Sequence, residues 1–146
     1  MNREQVQKQL AIDEGVVDEV YLDHLGYPTF GIGHLILKDD PEYGFAVGHS
    51  VEPERVTEAF QRDLDIAVSE CRVLYDRWDF FEGEVQEILV NMMFNLGRPR
   101  LSGFKNMKKA LDMGAYKTSA KEGRDSKWYR QVGNRAERLM TRLENV

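Results

Sequence analysis

Apolar positions along the chain change period from one region to the next. Val6, Leu10 and Ala11 form a short helical stripe, opened by an N-cap Asn2 with Gln5 as its capping-box partner and stopped by Gly15. A helix is therefore expected from about residue 3 to Glu14. Val20-Tyr21-Leu22-Asp23 and Thr29-Phe30-Gly31-Ile32-Gly33 read as short strands around a Gly26-Tyr27-Pro28 turn. Residues 38–52 are polar, hold Pro and Gly, and read as loop. From Pro53, a favoured first helical residue, Val56, Phe60, Leu64, Ala67, Cys71 and Leu74 recur every three or four positions, predicting one long helix over 53–74. Val85, Ile88, Leu89, Met92, Met93 and Leu96 give a second helix, broad in its apolar face and ending at Gly97. Shorter helices are expected near 104–112, 115–122, 125–131 and 134–143.

Strands in the first third and helices elsewhere define an α+β, mostly α class with two lobes. A single domain is expected over 1–146, with a sheet-bearing lobe at about 13–60, the long helix at 53–74, and a helical lobe at 75–146 joined by the N-terminal helix. The 146 residues, 42% hydrophobic, suffice for a packed core. No apolar run is long enough for a membrane span, and MNREQVQKQL lacks the apolar segment of a secretory signal, so a bacterial cytoplasm is the expected place of synthesis. The one cysteine, Cys71, reads as a small buried hydrophobe on a helix.

Charge divides the chain. Residues 1–97 carry 7 Lys and Arg against 20 Asp and Glu, whereas residues 98–146 carry 13 against 5. A basic second half can lean on an anionic surface or be a solvated face. A nucleic-acid binder is disfavoured by the acidic first half and the lack of any nucleic-acid motif.

Candidate chemistry centres on Glu14, at the negative end of the first helix's dipole. That position, with partial burial under the following hairpin, disfavours the carboxylate and suits a general acid. Asp23 closes the first strand and Thr29 enters the second, so a hairpin folded beside the helix end can bring all three together. Two carboxyls in different environments suit acetal hydrolysis, and a threonine hydroxyl can hold a water. Gly31-x-Gly33-His34 supplies backbone that a ligand can approach closely, or simply a tight bend. With His24, His34 and His49 scattered and no cysteine near, neither a metal site nor a cofactor is expected.

Residues 12–34, IDEGVVDEVYLDHLGYPTFGIGH, resemble the active-site segment of phage-type lysozymes, glycoside hydrolase family 24, which includes the lysozyme of T-even phages. Glu14, Asp23 and Thr29 match that family's spacing, followed by Gly31-Ile32-Gly33-His34. Asn91-Met92-Met93-Phe94-Asn95-Leu96-Gly97 resembles its central buried helix, and Ser102-Gly103-Phe104 the turn after it. Ser126-Lys127-Trp128-Tyr129-Arg130-Gln131 with Asn134-Arg135-Ala136 resembles its C-terminal helices.

The resemblance implies an inverting lysozyme, or endolysin, that hydrolyses the β-1,4 bond between N-acetylmuramic acid and N-acetylglucosamine in peptidoglycan. It implies Glu14 as acid, with Asp23 and Thr29 on the water. It further implies Gly33, Leu35, Phe94 and Asn95 as substrate contacts lining a cleft between lobes, and a structural ion pair of His34 with Asp63. Trp128 would be mostly core, while Arg135 would hold a carboxylate or reach the substrate's peptide. A monomer is implied, released to the wall through a holin, with peptidoglycan glycan strands as partner. Three features depart from the family pattern: the 38–52 loop is shorter, the chain ends at Val146 without the final aromatic segment, and the net charge of −5 is acidic where many members are basic. A lytic transglycosylase, needing one Glu alone, and a non-catalytic wall-binding module are the alternatives. Asp23 and Thr29 weigh against the first and Glu14 against the second.

Overall fold

The computed structural model describes all residues from Met1 to Val146. Seven α-helices and one small antiparallel sheet follow the order α1 (Arg3–Glu14), β1 (Val17–Leu22), β2 (Pro28–Gly31), β3 (His34–Leu35), α2 (Pro53–Leu74), α3 (Gly83–Leu101), α4 (Lys105–Asp112), α5 (Tyr116–Arg124), α6 (Lys127–Val132) and α7 (Asn134–Glu144). This is the α+β, mostly helical class expected from the residue pattern.

Two compact units divide the chain: Gln7–Ile66, and Met1–Val6 with Ala67–Val146. The division falls inside α1 and α2 rather than at their ends.

In the first unit the sheet has the order β1-β2-β3. Tyr21 pairs with Thr29 and Leu22 with Pro28, while a register irregularity lies between Val17 and Tyr21. β1 starts at Val17, before the expected Val20, and ends at Leu22. Thr29 pairs with Leu35 and Phe30 with His34: β2 ends at Gly31, short of the expected Gly33, and a third strand follows that was not expected. The reversal is a two-residue loop, Ile32-Gly33, and Gly31 at the end of β2 and Gly33 within the loop adopt φ of 65° and 63°. Such values are reached cheaply only without a Cβ. The 38–52 segment is a series of turns, as expected, tied to the free edge of β1. There Gly48 donates to Val20 O, Val20 to His49 O and Val51 to Asp18 O.

The helical unit is built on an apolar core that includes Tyr75, Ile88, Leu89, Met92, Met107, Leu111 and Leu139, all nearly inaccessible. Gly97, with φ 76° and ψ 161°, breaks the helical path of α3 where the sequence predicted its end, and one further turn follows it. A short 3-10 turn, Trp78–Phe80, was not anticipated. It places Trp78 in the core against Phe81. Asn2 caps α1 as expected, its Oδ1 accepting from Gln5 N at 3.1 Å. Its own N–H, however, donates to Glu87 Oε2, a tertiary partner in place of the Gln5 side chain of a capping box. Cys71 is fully buried, and burial, with the Glu70 charge adding, pushes its thiol up to about 12.

Candidate active site

Glu14 is the last residue of α1 and is half-buried. Its carboxyl lies against the β2–β3 loop: a Cβ placed on Gly33 would stand 3.3 Å from Glu14 Oε2 and 3.5 Å from Cδ. Glycine there lets the backbone approach the carboxyl to a distance that a side chain would contest.

Asp23 follows β1 directly and organises the first turn. Its Oδ1 accepts from the N–H groups of Leu25 and Tyr27, both at 2.9 Å. Its backbone N–H donates to Tyr27 O, and its own carbonyl accepts from Gly26 N. Both side-chain bonds use one oxygen, so the carboxylate is oriented while Oδ2 takes neither of them. Thr29, buried on β2, donates its hydroxyl to Tyr27 O at 2.9 Å. Its one hydrogen is thereby committed, and its lone pairs are what it offers a further ligand.

Tyr21 also belongs to this region, and the sequence reading passed it over. It pairs directly with Thr29. Burial first, then the charges of Glu14 and Asp23, raise its phenol above the ordinary 10.0. The signal was available: once the turn sets the register, Tyr21 faces Thr29 across the ladder.

His34, only 5% exposed, is held at both ring nitrogens. Nδ1 lies 2.7 Å from Asp63 Oδ2 on α2, and Nε2 lies 2.9 Å from Asp40 Oδ2. Carboxylates only accept, so each nitrogen must carry a hydrogen and the ring is an imidazolium. Burial opposes that charge, but the hydrogen bonds and charges of Asp63 and Asp40 outweigh it, and the His34 pKa stands above the ordinary 6.5. Asp40 was missed because it sits in the loop and only tertiary contacts give it a role. Its Oδ2 also accepts from Leu37 N at 2.8 Å and its Oδ1 from Arg55 Nη2 at 3.2 Å. Arg55 extends the network through Nε and Nη2 to Glu42, at 2.8 and 2.9 Å, and its guanidinium lies 5.6 Å from the Phe30 ring centre.

The remaining anticipated contacts are distributed over both units. Gly33 and Leu35 belong to the sheet unit, with Leu35 exposed. Phe94 and Asn95 lie on α3, half-buried in the helical unit. Asn95 Oδ1 accepts from Trp128 Nε1 at 2.7 Å, and Trp128 is core, edge-on to Phe104. Arg135 Nε donates to Asn91 Oδ1 at 2.9 Å, an amide partner that neither sequence alternative named.

The family model described as Phage lysozyme matches residues 11–145. The chain belongs to the phage lysozyme family, and its class is that of a glycoside hydrolase. It is 34% identical over 151 residues to the pre-baseplate central spike protein Gp5 of Enterobacteria phage T4, covering 90% of this chain and 26% of that protein. It is 27% identical over 161 residues to the probable T4-type lysozyme 1 of Dictyostelium discoideum, covering 95% and 93%. It is 29% identical over 136 residues to the peptidoglycan hydrolase gp36 of Pseudomonas phage phiKMV, covering 93% of this chain and 15% of that protein. The chain thus spans about a quarter of the spike protein and nearly all of the Dictyostelium protein.

Proposed function

We propose that this protein hydrolyses the β-1,4 bond between N-acetylmuramic acid and N-acetylglucosamine in peptidoglycan, with inversion at the anomeric carbon. One observation carries the reading: the end of α1 sets the Glu14 carboxyl against Gly33 in the β2–β3 loop, on the same small sheet that presents Asp23 at its first turn and Thr29 on β2. Family membership and the peptidoglycan hydrolase among the relatives support the substrate class.

Protonated Glu14 gives its proton to the glycosidic oxygen as the bond to the anomeric carbon breaks. A water attacks that carbon from the opposite face and passes a proton to Asp23. Because the Thr29 hydrogen is engaged by Tyr27 O, Thr29 accepts one hydrogen of this water. Asp23 Oδ2 accepts the other, which leaves a water lone pair aimed at the sugar. Proton and bond counts then balance, with Glu14 ionised and Asp23 protonated at the end of the step. Gly33, Leu35, Phe94 and Asn95 are proposed as sugar contacts. Delivery to the wall through a holin-type pore, as a monomer, belongs to the same reading.

Digestion of purified peptidoglycan, with mass and anomer analysis of fresh products, tests it. Reducing N-acetylmuramic ends released first as the α-anomer are expected, and anhydro ends would indicate a transglycosylase instead. Glu14→Gln should lower turnover by about 10²–10⁴-fold, the usual weight of a positioned acid. Near-normal lysis by that variant would remove the acid assignment.

A further inference from the structure

The turn between β1 and β2 ties both groups proposed to hold the water to the backbone of one residue, Tyr27. Its N–H donates to Asp23 Oδ1 at 2.9 Å, beside a second bond from Leu25 N. Its carbonyl accepts from the Thr29 hydroxyl at 2.9 Å and from Asp23 N at 2.9 Å. The side chains of Leu25 and Tyr27 are exposed, and what these residues give the site is backbone. Two neighbours set the Tyr27 backbone. Gly26 N donates to Asp23 O at 2.9 Å, closing the turn, and Gly26 takes φ of 87° to return the chain to the ladder, where Pro28 pairs with Leu22. A turn followed by one left-handed glycine is a hairpin connection that suits the twist of the strands. Pro28 disfavours helical backbone at the residue before it, which confines Tyr27 to the extended region. Nothing lies within 4 Å of where a Gly26 Cβ would stand, so backbone strain, and no clash, is what opposes a side chain there.

We propose that Gly26 is a positioning residue of this site: its left-handed backbone aims the N–H of Tyr27 at the Asp23 carboxylate and the carbonyl of Tyr27 at the Thr29 hydroxyl, and so fixes the spacing of the two groups about the water. The proposal rests on the roles given to Asp23 and Thr29 above. With Asp23 Oδ1 and the Thr29 hydrogen both committed to Tyr27, Asp23 Oδ2 and the Thr29 lone pairs keep one relative placement. An L side chain at position 26 favours a φ below zero. That change turns the Tyr27 N–H and carbonyl away from their partners and lets Asp23 and Thr29 drift apart. The proposed sugar contacts lie outside this turn, so turnover falls and substrate binding does not.

The test is steady-state hydrolysis of wall fragments by Gly26→Ala beside Gly44→Ala, at a temperature where both are folded. Gly44 is a matched control in the 38–52 segment of the same unit, with φ of 85° and nothing within 4 Å of its Cβ position. Both variants carry the same kind of strain, so both should lower the thermal midpoint. Gly26→Ala alone should lower kcat, by about thirtyfold with KM within about twofold, because a misplacement of an ångström costs about 10²-fold. Gly26→Asn should recover most of that loss, since asparagine tolerates left-handed backbone. A normal kcat in Gly26→Ala, an equal fall in Gly44→Ala, or a Gly26→Asn as slow as Gly26→Ala would reduce Gly26 to a structural turn and overturn the proposal. Should Gly26→Ala not fold, Pro28→Ala takes its place. Tyr27 is then released from the extended region, kcat is expected to drop about fivefold, and an unchanged kcat overturns the proposal. Full activity of Asp23→Asn would instead sink the catalytic reading beneath it, whatever the Gly26 variants do, so the two failures are distinguishable.

Discussion

The sheet unit and the helical unit are held together by different physics. Of the polar side chains buried in Gln7–Ile66, three are ionisable: His34, Asp40 and Glu42. With Asp63 and Arg55 they form a chain of ion pairs from β3 through the loop to α2. The helical unit buries Glu87, Asn91 and Ser119 among a much larger set of aliphatic, aromatic and methionine side chains. A sheet of three short strands has too little apolar area to fix its loops alone. Its loops are instead tied by charge-assisted hydrogen bonds, which specify geometry and respond to pH. The acid proposed to act on a sugar lies in the unit whose framework is polar, whereas the other unit is a packed scaffold.

That contrast can be broken or sharpened experimentally. The largest expected effect is catalytic: Glu14→Gln should lose activity as stated above with little change in thermal midpoint, measured side by side. Asp23→Asn should cost far more lysis than Asp13→Asn or Asp18→Asn. Comparable losses at all three would remove the special role of Asp23.

On stability, His34→Ala leaves Asp40 and Asp63 facing each other's charge across a vacated site, and should cost about 3–5 kcal/mol. Leu89→Ala in the helical core should cost about 2–5 kcal/mol. Amide exchange should place the two losses in different segments. The first is expected in residues 17–66, the second in the helices after residue 67. Uniform deprotection by either variant would show that the units open as one.

Smaller is the effect of pH. His34 has a raised pKa, so its contribution is complete below 6.5 and is lost as pH climbs through its folded value. Asp40 and Glu42 lie below their ordinary 3.8 and 4.5. For Asp40, burial is outweighed by the bonds from Leu37, His34 and Arg55; for Glu42, the Arg55 hydrogen bonds prevail over burial. Their contributions are complete above 4.5 and are lost on acidification through the folded values. The network should therefore stabilise the sheet unit most between 4.5 and 6.5. As pH climbs from 6.5 through the folded value of His34, amide protection factors should fall in the sheet unit, while Cys71 and Tyr75 in the helical unit, raised by burial, stay neutral. A fall confined to the helices would contradict this. Smallest of all, Glu58→Ala should change stability by less than about 0.5 kcal/mol, because its bond to Arg55 is an exposed i,i+3 pair.

Much of this architecture was legible from residue order. The long helix over 53–74 and the helix ending at Glu14 follow from apolar spacing, a proline start and a glycine stop, all local signals. The third strand escaped because His34–Leu35 is two residues long, and its pairing with Phe30 and Thr29 is a tertiary fact. At the site, Glu14, Asp23 and Thr29 stood out through chain spacing. Asp40, Arg55 and Tyr21 did not, because their partners are distant in sequence or depend on a hairpin register.

By itself, then, the sequence determined the main helices and the first hairpin to within a few residues, which residue types were present for acid and base chemistry, and how charge is divided along the chain. These depend on backbone preference and on neighbours a turn or two away. Tertiary structure alone decided that His34 holds two aspartates, that Gly33 admits the Glu14 carboxyl, and that Tyr21 pairs with Thr29. Such arrangements rest on distances between segments far apart in the chain, set only when burial brings them together.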